Sequence, residues 1–268
     1  MGVSVDMSAS HSVSASLPRL LRQRLSALML ATSLGLAAPV AMAQSLPPPD
    51  IGGRSWFLFD VSTNTVLYSQ APDERVEPAS LTKLMTAYVV FEALRDGTLN
   101  MDTRPPVSQA AYKAIGSRMF VDPRKPATVE ELLHGLIIQS GNDAAIILAE
   151  AVSGSEEAFA QQMNAEARRI GMKNSHFVNA SGLPAPEHYS TARDMALLAT
   201  RIIKEFPDYY RMYSEKEYTF NGVRQPNRNR LLYIDPSVDG MKPGHTAAAG
   251  YCLVASAPRA PRPAAAPA

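Results

Sequence analysis

A serine and a lysine three residues apart, Ser80 and Lys83, are the first residues whose types and spacing could do chemistry together. Apolar residues recur around them at helical spacing, which predicts that both side chains lie on one side of the first turn of a buried helix. There a hydroxyl and an amine can act as nucleophile and base, because burial and the positive end of the helix dipole disfavour the ammonium form. Taken alone, the pair is more simply a helix cap and a solvated lysine, since short matches of this kind are common.

Two later polar motifs give the pair more weight. A Ser-Gly-Asn turn at residues 140–142 breaks two apolar helical segments, where a polar turn is expected to be exposed in a cleft. A Lys-Pro-Gly run at residues 242–244 lies in a strand-like stretch. Each motif alone fits an ordinary interhelical turn or a lysine at a strand edge. The three in this order, on helix, turn and strand, indicate a shared catalytic centre.

Length and composition bound the rest of the chain. With 268 residues it can form one large or two small domains, and a net charge of +1 favours no nucleic-acid partner. The single cysteine, Cys252, excludes an intrachain disulfide. It lies in an apolar, strand-like run and is most simply a small buried hydrophobic residue.

The N-terminus has the three parts of a secretory signal peptide. Arginines between residues 19 and 24 precede an apolar run over residues 28–40, which ends in Ala41-Met42-Ala43, a small-x-small cleavage site. The run is too short for a confident membrane span. We therefore expect residues 1–43 to be removed, and the mature protein to be secreted across the inner membrane to the periplasm or another extracytoplasmic space.

The elements that must position the motifs are strands near both chain ends with helices between them. Strands are predicted over residues 56–61 and 65–69, and later over 218–223, 231–234, 238–246 and 251–256. Helices are predicted from Ser80 to about Gly97 and after the capping residues Thr128, Ser155 and Thr191. This order predicts a mixed α/β fold, in which strands from both chain ends meet in one antiparallel sheet beside a helical subdomain.

The composition changes abruptly near the C-terminus. Residues 258–268 contain only alanine, proline and arginine, which predicts a disordered or polyproline-like tail. The predicted organisation is a signal peptide over residues 1–43, a catalytic domain over residues 44–257 and a tail over residues 258–268.

Over roughly residues 50–257, the chain resembles the serine-type D-alanyl-D-alanine carboxypeptidases, which are low-molecular-mass penicillin-binding proteins. The resemblance covers the three motifs and the strings at residues 54–58, 77–85, 139–144, 188–196, 227–229 and 239–246. It implies a β-lactamase/DD-peptidase-like fold and removal of the terminal D-alanine from peptidoglycan stem pentapeptides. It also implies acylation by β-lactams as inhibitors, and no cofactor or metal.

The resemblance implies a role for each residue of the first two motifs. Ser80 would attack the carbonyl between the two D-alanines and form an acyl-enzyme, with Lys83 as the base that takes its proton. Ser140 would relay a proton to the leaving D-alanine, and Asn142 would hold the substrate backbone and Lys83. The scheme gives no role to three histidines, which we expect to be structural or surface residues: His134, His176 and His188.

The strand motif is implied to bind substrate. Lys242 would place positive charge near the substrate carboxylate, and Gly244 belongs to the same substrate-binding run. The backbone N–H of His245 would form an oxyanion hole together with that of Ser80, because both donors would face the charge that develops on the carbonyl oxygen.

Pro243 is the first of two departures from the family pattern. It replaces a threonine whose hydroxyl would bond the substrate carboxylate, a charge-assisted bond worth about 1.5–3 kcal/mol. Residues two apart in a strand present their backbone groups to the same side. If the N–H of His245 faces the cleft, the missing N–H of Pro243 does so too, and the sheet ladder survives. We expect Pro243 to weaken substrate capture more than folding.

The second departure is the sequence after Ala257. The resemblance implies a further sheet strand, a closing helix, an arginine that helps bind the substrate carboxylate, a β-rich domain and an amphipathic membrane helix. The Ala/Pro/Arg tail resembles none of these. The expectation is a truncated chain without a membrane anchor, destabilised by unpaired strand edges and exposed core surface.

Two alternative functions remain open at this point. A β-lactamase needs a glutamate that activates the deacylating water, and Glu217-x-x-x-Asn221 imitates part of such a loop, although the stretch is strand-like. A non-catalytic or impaired penicillin- or muropeptide-binding remnant would fit both Pro243 and the truncation.

Overall fold

The computed structural model describes residue 47 and residues 50–259. The signal peptide predicted over residues 1–43 and nearly all of the tail predicted over residues 258–268 lie outside the described residues, so both stay predictions. Within residues 50–259, no helix is long and apolar enough to cross a membrane.

Along residues 50–259, a β-hairpin is followed by a series of helices and then by two further hairpins with a short helix between them. The strands are β1 (Trp56–Asp60), β2 (Thr65–Gln70), β3 (Glu217–Phe220), β4 (Val223–Pro226), β5 (Gly240–Thr246) and β6 (Gly250–Ser256). The helices are α1 (Thr82–Arg95), α2 (Gln109–Tyr112), α3 (Val129–His134), α4 (Asn142–Ser153), α5 (Glu156–Ile170), α6 (Ala192–Glu205), α7 (Pro207–Tyr210) and α8 (Leu231–Ile234). A 3₁₀ turn (Ala79–Leu81) precedes α1, and a π-helical turn (Gly135–Gln139) continues α3.

The strand pairing confirms a mixed α/β fold and corrects two details of the prediction. All the strand pairs are antiparallel, but in the described part of the chain β1–β2 and β5–β6 are separate two-stranded sheets rather than one joined sheet. The strand predicted over residues 231–234 is helix α8. Asn229 Oδ1 accepts the N–H of Leu231 at 3.2 Å, and such a local bond favours a helical start over strand pairing.

Helix α1 lies at the centre of the hydrophobic core. Leu84, Met85, Tyr88 and Val89 have no exposed surface, which confirms the buried face predicted from their spacing. Burial extends to the other faces as well, since Phe91 is also fully buried. A helix that is packed on all sides is a rigid platform for the turn that carries Ser80.

Polar caps start the helices where the sequence predicts them. Thr128 and Glu131 form a reciprocal capping box at the start of α3, with N···O distances of 3.1 and 2.7 Å. Ser155 and Thr191 cap α5 and α6 through their hydroxyl oxygens. Each cap satisfies an N–H that the helix leaves unpaired, typically worth about 1 kcal/mol.

Candidate active site

Ser80 lies half-buried in the 3₁₀ turn before α1, on a strained backbone. The preceding residue, Ala79, has a φ of +48°, a conformation that side chains other than glycine rarely adopt. Gly182 supports the turn closely, because a Cβ at Gly182 would lie 1.8 Å from the carbonyl oxygen of Ala79. The hydroxyl is therefore presented by a turn that neighbouring backbone holds in place.

The Lys83 side chain is buried, with 1% of its surface exposed, and its amine contacts three oxygen atoms. Nζ lies 3.2 Å from Ser80 Oγ, 2.7 Å from Asn142 Oδ1 and 2.5 Å from the Ser181 carbonyl oxygen. Burial holds the pKa of Lys83 well below its usual value, and the charge of Lys242 lowers that pKa further. Both effects favour the neutral form of the amine, which is the form that can accept a proton.

A neutral amine has two N–H bonds and one lone pair, so it can donate to only two of the three oxygens around Lys83 Nζ. Asn142 Oδ1 and the Ser181 carbonyl can only accept hydrogen bonds, so they take the two N–H groups. In the neutral amine the lone pair is then left for Ser80 Oγ, which lies 3.2 Å away and alone among these three oxygens can donate a proton. The geometry aims the base at the hydroxyl.

The Ser-Gly-Asn turn breaks two helices as predicted, but it is buried rather than exposed, because its backbone places both polar side chains inward. The π-helical turn ends at Ser140, which has a φ of +64°. Asn142 is fixed by two loop carbonyls, because its N–H donates to Ser117 at 2.7 Å and its Nδ2 donates to Ile115 at 2.6 Å. Oδ1 is thus turned towards Lys83. Ser140 Oγ is buried without a hydrogen-bond partner among residues 50–259.

Asp143 clamps the loop that anchors Asn142, a role that the sequence analysis missed. Its carboxylate accepts the N–H groups of Met119, Phe120 and Val121 at 3.0, 2.8 and 3.3 Å. Bonds to a charged acceptor are stronger than neutral ones, so the loop is firmly held. The position of Asp143 directly after the motif asparagine was the available signal.

Lys242 on β5 is as deeply buried as Lys83, with 1% of its surface exposed. Burial and, to a smaller extent, the positive charge of Arg228 together lower the pKa of Lys242 to about 7. Its Nζ has no hydrogen-bond partner in the part of the chain that the structure describes. A buried polar group left unpaired costs about 1–3 kcal/mol, which a suitable ligand would relieve.

Strand β5 passes directly against the Ser80 turn at Gly244. A Cβ at Gly244 would lie 3.0 Å from the backbone N of Ser80 and 3.2 Å from that of Leu81. Glycine therefore lets the strand approach the backbone of the turn. This contact brings the first and third motifs together, although they are far apart in sequence.

The side chains of Pro243 and His245 lie on the opposite face of β5 from that of Lys242, because side chains alternate along a strand. His245 is exposed, and its ring centroid lies 4.4 Å from that of Tyr251. Pro243 pairs with Leu253, and the register of β5 with β6 runs without a shift. The hairpin accommodates the proline, and the backbone N–H is the group through which His245 can serve the site.

Two groups behind the site were not predicted to contact it. One is the Ser181 carbonyl, for which the turn-forming sequence at residues 179–182 was the only available signal. The other is His188, whose Nδ1 accepts the N–H of Val178 at 3.3 Å, so that Nε2 carries the ring proton, 2.8 Å from Thr82 Oγ1. Burial lowers the pKa of His188 to about 4, so the ring is neutral.

Known proteins are similar to this chain in sequence and in fold. Residues 41–266 match the D-alanyl-D-alanine carboxypeptidase family, peptidase S11. D-alanyl-D-alanine carboxypeptidase DacC of Escherichia coli is 47% identical over 234 residues, which are 84% of this chain and 58% of that protein. Penicillin binding protein 5 from Haemophilus influenzae superposes with a TM-score of 0.77 at 43% identity, over 79% of this chain and 63% of that one. Penicillin-binding protein D2 from Listeria monocytogenes, in its ampicillin-bound form, gives 0.72 at 30% identity, over 80% and 87%.

The fold is that of the penicillin-binding proteins compared above. The chain belongs to the D-alanyl-D-alanine carboxypeptidase family, which confirms the resemblance seen in its sequence. It spans little more than half the length of the curated relatives it matches, with 58% and 56% for the first two.

Proposed function

We propose that the chain is a serine-type D-alanyl-D-alanine carboxypeptidase that acts on peptidoglycan stem pentapeptides. The observation that carries the proposal is the arrangement around Lys83, whose Nζ contacts two oxygens that can only accept hydrogen bonds and lies 3.2 Å from Ser80 Oγ. A base made neutral by burial beside an accessible hydroxyl is what nucleophilic catalysis requires. Membership of the family supports the substrate class.

Acylation begins when Ser80 Oγ attacks the carbonyl carbon between the two D-alanines and Lys83 Nζ accepts the hydroxyl proton. The carbonyl electron pair moves to oxygen, where the N–H groups of Ser80 and His245 stabilise the negative charge. When the tetrahedral intermediate collapses, the C–N bond breaks and the leaving amine takes, through Ser140, the proton that Lys83 accepted, which returns Lys83 to its neutral form. The products are free D-alanine and an ester on Ser80.

Deacylation uses the same base. Water attacks the ester carbonyl and gives its proton to Lys83, and the C–O bond to Ser80 breaks as the serine oxygen regains a proton. A β-lactam would acylate the same oxygen when its ring amide opens. The ampicillin-bound form of the Listeria monocytogenes protein supports β-lactams as ligands of this chain.

The substrate carboxylate has a suitable partner in Lys242. Its Nζ and Ser140 Oγ are both buried and unpartnered within residues 50–259, so a ligand that bonds them removes an existing penalty. A bound carboxylate favours the ammonium form and would raise the pKa of Lys242 from about 7. Pro243 offers no hydroxyl to this carboxylate, so capture would be weaker than with threonine.

Location and chain organisation belong to the same proposal. Residues 1–43 have the composition of a secretory signal, and a peptidoglycan substrate lies outside the cytoplasm. We therefore propose export of the protein to the periplasm or another extracytoplasmic space. Residues 44–257 would form its catalytic domain and residues 258–268 a separate tail.

Labelling and product release test the proposal on the full chain. Fluorescent penicillin should attach to Ser80, located by mass spectrometry, and a peptide ending in Lys-D-Ala-D-Ala should release D-alanine. Both should be lost in Ser80→Ala. Label without release would favour the impaired binding remnant, and rapid penicillin turnover would favour a β-lactamase. Absence of label at Ser80 would contradict the proposal.

A further inference from the structure

The Ser181 carbonyl oxygen is the nearest of the three oxygens around Lys83 Nζ, at 2.5 Å, and it comes from outside the three motifs. Its direction depends on the fold of residues 178–188, here named the carbonyl loop. The carbonyls of Ala180 and Ser181 both accept hydrogen bonds from side chains of α1. Lys83 donates to Ser181, and Thr86 Oγ1 donates to Ala180 at 2.7 Å. The carbonyl loop therefore runs along the catalytic helix in a fixed register.

One side chain organises the carbonyl loop from within. Asn179 Oδ1 accepts the N–H of Gly182 at 2.7 Å and that of Ser181 at 3.2 Å, and Asn179 Nδ2 donates to the Leu183 carbonyl at 2.9 Å. The Gly182 N–H and the Ser181 carbonyl belong to one peptide unit and point in opposite directions. When Asn179 holds that N–H, the carbonyl on the other side of the plane faces Lys83.

Other bonds keep the carbonyl loop in place independently of Asn179. His188 bonds Thr82 at 2.8 Å, and Glu156 Oε1 accepts the N–H of Ala180 at 2.9 Å. Gly182 also packs against the carbonyl of Ala79. Removing the Asn179 carboxamide should therefore release one peptide plane without unfolding the loop.

We propose that Asn179 is a positioning residue for the base: it orients the Ser181–Gly182 peptide so that its carbonyl takes one N–H of Lys83 and leaves the lone pair for Ser80. The inference rests on the acylation proposed above. Without this acceptor, the amine rotates about its Cε–Nζ bond and can present an N–H to the serine oxygen. Asn179 acts through Ser181 and does not touch the reacting atoms.

Asn179→Ala tests the proposal, with Asn164→Ala as the matched control. Asn164 also bridges backbone groups, donating to the Phe177 carbonyl at 2.6 Å and accepting the Phe177 N–H at 2.8 Å. We expect Asn179→Ala to lower the second-order rate constant for acylation of Ser80 by fluorescent penicillin about 10- to 100-fold, since small misplacements of a catalytic group have this effect. Asn164→Ala should acylate at nearly the wild-type rate, with a comparable loss of Tm.

Asn179→Asp gives a second signature that does not need turnover. It keeps the acceptor for Gly182 and adds a negative charge, so it should raise the pKa of Lys83 and move the acidic limb of acylation to higher pH. Asn179→Ala should turn the Ser181 carbonyl away from Lys83. Because that carbonyl is an acceptor that favours the ammonium form, its loss should lower the pKa of Lys83. The ¹³Cε resonance of Lys83, assigned with Lys83→Met, measures both shifts.

Two results would overturn the positioning role. One is an acylation rate in Asn179→Ala that equals the wild-type rate or that of Asn164→Ala. The other is a pKa of Lys83 that moves in the same direction, or not at all, in Asn179→Ala and Asn179→Asp. A wild-type chain that is never acylated at Ser80 would contradict the proposed function instead, while the Lys83 titration would still decide the role of Asn179.

Discussion

Two buried lysines at one candidate site differ in how their amines are bonded. Lys83 and Lys242 are both 1% exposed, and burial is the main reason why the pKa of each is lowered. Lys83 Nζ has three oxygen neighbours, whereas Lys242 Nζ has no hydrogen-bond partner among the described residues. The base is therefore oriented before any ligand arrives, while Lys242 is left for one to complete.

This difference matches two requirements of catalysis. Groups that act on the transition state are most effective when they are fixed in advance, because no reorganisation is then needed during reaction. A group that captures substrate gains most when its partner is missing in the free enzyme, since an unpaired buried amine is unfavourable. The predictions below separate these two behaviours.

Lys83→Met should have the largest effect. Methionine fills the apolar space without the amine, so the fold should persist while acylation of Ser80 slows by about 10³-fold, as expected for loss of a general base. Lys242→Met is the matched control and should mainly raise the KM of a peptide with a free C-terminal carboxylate. Stopped-flow acylation and a thermal melt measure both. Acylation by Lys83→Met within tenfold of wild type would contradict the assignment of the base.

Gly182→Ala should have the next largest effect, with Gly222→Ala as its control. Both glycines have a positive φ, +83° and +78°, but a Cβ at Gly182 would lie 1.8 Å from the Ala79 carbonyl, whereas Gly222 has no atom within 4 Å. Gly222→Ala should lose about 1–2 kcal/mol of unfolding free energy and keep full acylation. Gly182→Ala should displace the Ser80 turn and slow acylation about 100-fold. If the two variants have the same free energy of unfolding in urea and the same labelling rate, Gly182 does not hold the Ser80 turn in place.

Pro243→Thr addresses the substrate side alone. A restored hydroxyl bond to the carboxylate, worth about 1.5–3 kcal/mol, should lower the KM of a peptide ending in D-Ala-D-Ala about tenfold or more. A peptide with a C-terminal amide lacks the carboxylate and should respond little. Steady-state release of D-alanine measures the KM of the peptide with the free carboxylate, and direct binding measures the affinity of the amide peptide. No change with the free carboxylate would show that position 243 does not limit capture.

His188→Gln should have the smallest effect at neutral pH and should change stability only in acid. The pKa of His188 is about 4 in the folded chain and 6.5 without the fold, so between these values the unfolded state binds the extra proton. The free energy of unfolding should therefore fall as pH drops from 6.5 towards 4, by up to about 1.4 kcal/mol per pH unit. Glutamine keeps an N–H near Thr82 and should flatten this dependence. Urea denaturation between pH 7 and 4.5 checks it, and an unchanged slope would contradict a neutral buried ring.

Local signals in the sequence predicted more of this molecule than long-range ones. The spacing around Ser80 predicted the buried helix, and the caps at Thr128 and Thr191 predicted two helix starts. The single joined sheet was predicted from strand order alone, which does not determine which edges pair. The prediction of a strand over residues 231–234 was wrong, because the hydrogen bond from the Leu231 N–H to Asn229 Oδ1 competes with strand pairing.

The sequence predicted the motif residues of the candidate site, but it did not predict the groups that hold those residues in place. Ser80, Lys83 and Asn142 have types that suggest chemistry, and the structure brings them together. The Ser181 carbonyl is a backbone group that any residue could supply, so only the folded loop reveals it. The approach of Gly244 to Ser80 likewise depends on tertiary packing.

The pKa values of Lys83 and Lys242, followed by ¹³Cε resonances in Ser80→Ala, test the contrast between the two amines most directly. Without ligand, both pKa values should lie well below the usual lysine value, with that of Lys242 near 7. Saturation with a peptide ending in D-Ala-D-Ala should raise the pKa of Lys242 by about one unit or more, since an opposite charge favours the ammonium form, and should leave Lys83 neutral at pH 7. A Lys83 that titrates at the usual lysine value, or a Lys242 whose pKa does not respond to the peptide, would contradict the account.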